Sequence, residues 1–301
     1  FELGRAGLDH EQILGGLEGA LQLSLAGDLA IDEAADISTN ILTAMRLPAK
    51  GAEQVAASLQ KVNDVLTYVA TNSNTDVRLM GETLKYVGPI AAAAGMSLER
   101  VGAASMIMAS NGLRGSEAGV AMRSALVRMV RPTKPAIAAL ERLGLSMSDF
   151  VKGGRQISGQ DIVGSLMTDG VDASNFVKEI DAALADPKLQ KSTAAMTAAI
   201  ANIIGEAGSV MDKSALASAI TDTLTAAGSD VDLFAFINAL REKGADLSDV
   251  SRIFDVRQGS RLITLLTGDV YAALDEVTEK SADAAKQASE IRMKGFVGDV
   301  N

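Results

Sequence analysis

A chain of 301 residues that is 48% apolar but only 3% aromatic, with one His, no Cys and no Trp, excludes several function classes at the outset. Its apolar share is too high for a disordered chain and rests on Ala, Leu, Ile, Val and Met, a mixture rich in helix formers. The net charge of −10 sets nucleic acid phosphates and anionic membranes against most of the surface, and the lack of Cys removes disulfides, thiolate nucleophiles and Cys-based metal centres.

The chain opens on Phe1 and reads as a piece of a longer protein; residues 1–30 carry Glu2, Asp9, Glu11, Glu18 and Asp28 and have no secretory pattern. Asp9 is placed to cap a helix over residues 9–24, and Asp32 to begin one over 32–45 that Pro48 closes. Val55, Leu59, Val62, Leu66 and Val69 form an apolar stripe on a helix over 49–70. Thr75 or Asp76 caps the next helix, which Gly88-Pro89 is expected to break or kink. Gly95 and Ser97 mark a stop and a restart, Asn111-Gly112 a further stop, and a helix runs over 116–130. Pro135 stands in the first turn of a helix that ends at Gly144. The polar, Gly-rich run 151–159 reads as a boundary, followed by helices near 160–167, 173–184, 187–204, 213–226, 231–243 and 248–254. Only Leu262–Leu266 resembles a strand, and its surroundings are helical. The 13-residue uncharged runs at 86–98 and 101–113 are too short to span a bilayer, which needs about 20 residues.

The last stretch has a different texture. Val270, Leu274, Val277, Ser281, Ala284, Ala288 and Ile291 step by 4, 3, 4, 3, 4, 3, a heptad seam. It fits either an amphipathic helix on the domain's own core or the start of a coiled coil between copies. The fold class is therefore all-α, a multi-helix bundle of short helices with a longer C-terminal amphipathic or coiled-coil helix. The expected segments are 1–150, 151–250 and 251–301. Val55, Leu59, Val62, Leu66, Leu84, Val87, Ile107, Leu126 and Leu140 are expected in the core.

Material for catalysis is scarce. His10, the sole imidazole, is expected at the surface in the first turn of a helix, so Ser-His-Asp and His-rich metal sites lack material. Neither a nucleophile-elbow nor a phosphate-loop pattern occurs. Acidic clusters such as Asp32/Glu33/Asp36 fit helix starts and solvated faces. We expect no enzyme activity, catalytic residue, cofactor or metal site. Gly81, Gly88, Gly95 and Gly102 recur at sevens, and Gly15/Gly19 and Gly115/Gly119 at fours, a pattern of close helix packing. Arg114, Arg123, Arg128, Arg131 and Lys134 stand against Glu117 alone between Leu113 and Pro135. They pair with acidic residues of the chain or face an acidic partner; no aromatics interleave, so no nucleic-acid site is expected.

A series of short blocks resembles the core region of the phage tail tape measure proteins. They are Leu84-Lys85-Tyr86-Val87-Gly88-Pro89, Gly95-Met96-Ser97-Leu98-Glu99, Asn111-Gly112-Leu113-Arg114-Gly115-Ser116-Glu117-Ala118-Gly119 and Pro132-Thr133-Lys134, in order, with Ile253-Phe254-Asp255 further on. The family has Gly where this chain has Asp255, and residues 155–250 stand as an insertion. The resemblance implies a structural tail protein in the lumen of the tail tube. Such a protein sets tail length during assembly, leaves ahead of the DNA and aids its passage across the host envelope. It implies other copies of the chain (a trimer), tail tube and tail-tip proteins, tail assembly chaperones and the host inner membrane as partners. A membrane-active or cell-wall-degrading helical module of a larger phage protein is the alternative.

Overall fold

The computed structural model describes residues 2–153, 157–168, 171–186, 188–189, 193–205, 213–227 and 229–298. Among them the order is α1 (Glu2–Arg5), α2 (His10–Gly27), α3 (Ile31–Ala44), α4 (Gly51–Asn72), α5 (Val77–Ala93), α6 (Leu98–Ser110), α7 (Ser116–Val130), α8 (Lys134–Leu143), β1 (Val151–Gly153), α9 (Gly159–Thr168), α10 (Val177–Ala185), α11 (Thr193–Gly205), α12 (Lys213–Ala227), β2 (Ser229–Val231), α13 (Leu233–Glu242), α14 (Leu247–Phe254), α15 (Val256–Thr267), α16 (Val270–Lys280) and α17 (Ala284–Gly298). The fold is all-α and multi-helical, with one small ladder in which Val151 pairs with Val231 and Gly153 with Ser229, antiparallel.

Capping side chains start many of these helices. Asp9 accepts from Gln12 N while Gln12 reaches back to Asp9 N, a reciprocal box at α2. Asp76, Ser97, Thr133, Asp232, Asp246 and Asp269 each accept a first-turn N–H of the helix that follows. The Leu262–Leu266 run is helical, inside α15. Of the expected boundary run 151–159, residues 154–156 lie outside the described residues, as does residue 187, the expected start of a helix.

Two expectations are corrected. Of the break or kink expected at Gly88-Pro89, the break does not occur: α5 runs through Pro89 to Ala93. Pro89 supplies no N–H to the ladder, but Val87, Ile90 and Ala91 around it are fully buried, and that burial offsets the missing bond. The turn comes at Gly95, whose φ of 78° is the left-handed conformation that glycine adopts freely. The second correction is at the C-terminal end, where the single long helix is broken between α16 and α17. Asp283 has φ 61°, and its N–H and that of Ala285 donate to the two carboxylate oxygens of Asp64 on α4, at 3.1 and 3.0 Å. A buried acid from another helix thus caps α17 and holds the break.

The chain divides into two units, each assembled from discontinuous stretches. Unit 1 comprises Phe1–Gly88, Ser97–Ala121 and Ile263–Asn301; unit 2 comprises Pro89–Met96 and Met122–Leu262. In unit 1, α4 is central: α2, α3, α6, α16 and α17 all pack on it, and α16 also packs on α6. Glycines set the close approaches. A Cβ on Gly15 would stand 2.8 Å from the Ala52 carbonyl oxygen, one on Gly102 2.9 Å from Val65, and one on Gly119 2.5 Å from the Thr83 carbonyl oxygen. The sevenfold glycine register is thus shared out: Gly81 and Gly88 on α5 face Ile37 and Ala44 of α3, while Gly102 on α6 faces α4.

In unit 2, Ile162, Leu166, Ile180, Ile200 and Ile220 make one buried cluster among α9 to α12. Phe236 of α13 stacks edge-on between Phe150 and Phe254, with ring centroids 5.1 and 5.8 Å away. All nine residues expected in the core are buried.

Candidate interaction surfaces

The five cations expected to form a basic feature do not lie on one helix. Arg114 precedes α7 within unit 1, and its Nη1 donates to the Asn74 carbonyl and Oδ1 at 3.0 and 3.3 Å. Arg123, Arg128, Arg131 and Lys134 belong to unit 2. Arg123 and Arg128 are half-buried and Arg131 and Lys134 exposed. Arg128 lies 4.0 Å from Asp255 at the corner between α14 and α15.

That corner holds what sequence reasoning missed. Asp255 has φ 80° and ψ 162°, a conformation that belongs to glycine and costs another residue about 1–3 kcal/mol. The Gly that the resemblance led us to expect at this position now has a reason. Asp255 offsets the strain in part by accepting the Gln258 N–H at 2.9 Å, capping α15. Arg252 and Arg257 flank it, both exposed, and Val256 between them is 77% exposed. Earlier on α14, the buried carboxylate of Asp249 pairs with Arg142 of α8.

The heptad seam divides at the break. Val270 and Val277 are buried within unit 1 and Leu274 is half-buried. Beyond Asp283 the buried positions shift by one, to Ala285 and Ser289. Ala284 and Ala288 are then half-buried and Ile291 is 70% exposed. The first half of the seam therefore faces the chain's own core.

Unit 1 carries the more marked polarity. Between Arg5 and Arg46 there are seven acidic residues and no Lys or Arg. Glu33 in this stretch is held below its ordinary value by a two-pronged bond from Arg78, at 2.5 and 2.8 Å. Burial pushes the Asp64 carboxyl up, against the pull of the two N–H groups it caps. Tyr68 is raised to about 12 by burial and by its bond to Glu276. Burial pushes Glu99 up, but the Lys61 ammonium at 2.5 Å, the Glu99 N–H and the Ser97 hydroxyl together outweigh it, so the carboxyl sits below its ordinary value of 4.5. A depressed carboxyl contributes stability above its unfolded value and loses it as pH falls through the folded one. The difference in unfolding free energy between wild type and Glu99→Gln should therefore be steady near about pH 7 and shrink below about pH 4.5, as read by urea titrations across pH. A difference that grows on acidification would reverse the assignment.

Among the described residues no helix is long and apolar enough to cross a membrane, and no group of three or more His, Cys, Asp or Glu could hold a metal ion.

Comparison with known proteins gives these helices a context. The chain is 36% identical over 149 residues to the tape measure protein of Pneumococcus phage Dp-1, a match covering 49% of this chain and 12% of that protein. It is 29% identical over 147 residues to the probable tape measure protein of Escherichia phage P2, covering 49% of this chain and 17% of that one. The chain thus spans a small part of the length of these relatives. No solved structure matches it. Residues 2–205, most of the chain, match the family described as phage-related minor tail protein, and the chain belongs to that family.

Proposed function

We propose that the chain is a folded, non-catalytic module of a longer phage tail tape measure protein. The observation that carries this reading is the match of about half the chain to two proteins of that name. On this reading it is a structural component of the virion, housed in the tail tube lumen with tube and tip proteins and further copies of itself as neighbours. The protein sets tail length during assembly and leaves ahead of the DNA.

The module itself is not the ruler. Among the described residues the longest helix, α4, has 22 residues and extends about 33 Å at 1.5 Å per residue. The other described helices are shorter, and within each unit they pack on one another to bury apolar faces, so a residue in either unit adds less length than one in a continuous helix. Measuring falls to helical chain outside this stretch, and the module serves for anchoring or for contact with the host envelope. In-frame deletions in phage test this by electron microscopy of tails. Removing a helical stretch outside the module should shorten tails by about 1.5 Å per residue. Removing Ser116–Val130, the whole of α7, should abolish assembly or infectivity. Viable phage with tails shortened in proportion to that second deletion would overturn the reading.

A further inference from the structure

Helix α2 buries Gly16, Ala20, Leu23 and Ala26 toward the core of unit 1, yet its other side is also apolar. Leu14, Leu17 and Leu21 are 61%, 50% and 48% exposed, and Leu25 continues the row half-buried. At 3.6 residues per turn the four fall within about 80° of arc. Exposed Glu11 and Glu18 line one edge, and exposed Asp28 ends the row. Three leucines about half-exposed or more, adjacent on one helix and rimmed by acids, make the kind of contiguous apolar patch that is often an interaction site.

The charges decide what fits there. Two copies of this face, each edged by Glu11 and Glu18 on a helix that has no Lys or Arg, would repel one another. Anionic lipid and nucleic acid are repelled for the same reason. The molecule already shows what α2 accepts. Helix α17 packs on it, bears Lys286, Arg292 and Lys294 against Glu290, and places Arg292 3.5 Å from Asp28. We propose that the Leu14–Leu17–Leu21 face of α2 is a docking site for a basic amphipathic helix of a partner protein. The leucines supply the apolar contact, and Glu11 and Glu18 select the charge and orient the incoming helix. This goes beyond the proposed place in the tail and stands whether or not that place is right.

The test uses the full chain and two synthetic helical peptides with the same leucine stripe, one edged by Lys and one by Glu. Fluorescence anisotropy should show binding of the Lys peptide, weaker at high salt, and none of the Glu peptide. Leu14→Ser/Leu17→Ser/Leu21→Ser should weaken binding about tenfold or more, and the side chains are exposed enough for the fold to persist. Glu11→Gln/Glu18→Gln, which leaves the leucines in place, should weaken it and flatten the salt dependence. Absence of Lys-peptide binding, equal binding of both peptides, or equal binding by wild type and both variants would overturn the proposal. So would wild-type self-association in sedimentation that the triple Ser substitution abolishes, since the occupant would then be a second copy.

Discussion

Phe236→Ala should lower the unfolding free energy by about 3–5 kcal/mol. The side chain is fully buried and has an aromatic ring edge-on at either side, Phe150 and Phe254. Aromatics are only 3% of the chain, so this trio is an uncommon concentration of large side chains. It also ties together three parts of unit 2 that are far apart in sequence: the end of the turn before β1, α13 and α14. Truncation removes apolar contact with both neighbours and leaves a cavity that two planar rings close poorly. Phe236→Leu should cost less, since most of the volume is retained. Urea unfolding followed by circular dichroism gives both values. A loss under about 1 kcal/mol for the Ala variant would mean that the trio does not anchor unit 2.

In unit 1, Leu59→Ala should cost about 2–5 kcal/mol. Leu59 is 1% exposed on the central helix α4 and fills the space opposite Gly16 of α2. A Cβ on Gly16 would stand 2.7 Å from Leu59 Cδ1, so Gly16→Ala alone forces the leucine aside. In the Leu59→Ala background the same methyl enters the vacated space. The double variant should therefore be more stable than the sum of the two single losses predicts, by about 0.5 kcal/mol or more. Simple additivity would show that the two positions do not share the space between α2 and α4.

How much of this was legible depended on the range of the interaction. Helix starts fixed by a neighbour three residues away, such as Asp9 with Gln12 or Ser97 with Arg100, can be read from the letters, and so can the apolar stripe on α4. The basic residues and the heptad seam were visible as patterns, but their surroundings were not. No local pattern reveals that Asp64, more than two hundred residues earlier, caps α17 and breaks the seam. The segment Ser281-Ala282-Asp283 contains neither Gly nor Pro and reads as continuous helix. The opposite failure occurred at Pro89, where a strong local breaker yields to burial on both sides. The strands β1 and β2 have three residues each and pair across about eighty residues, too short to carry any alternation. At Asp255 the unusual residue was noticed, but its backbone conformation could be known only from the structure.

The discontinuity of unit 1 has a consequence for the order of events during synthesis. Helix α6 is complete at Ser110, but α16, which packs on it, begins only at Val270. At about 5–20 residues per second the ribosome needs about 8–32 s to bridge that interval. Through this time the apolar side of α6 that α16 will cover stays open on the nascent chain, while unit 2 is being made in between. Unit 1 can close only after the stretch that completes unit 2 has emerged. Slow codons or a stalled ribosome within residues 111–269 would lengthen the exposure, and translation ending anywhere in that interval would leave a half-built unit for aggregation or proteolysis.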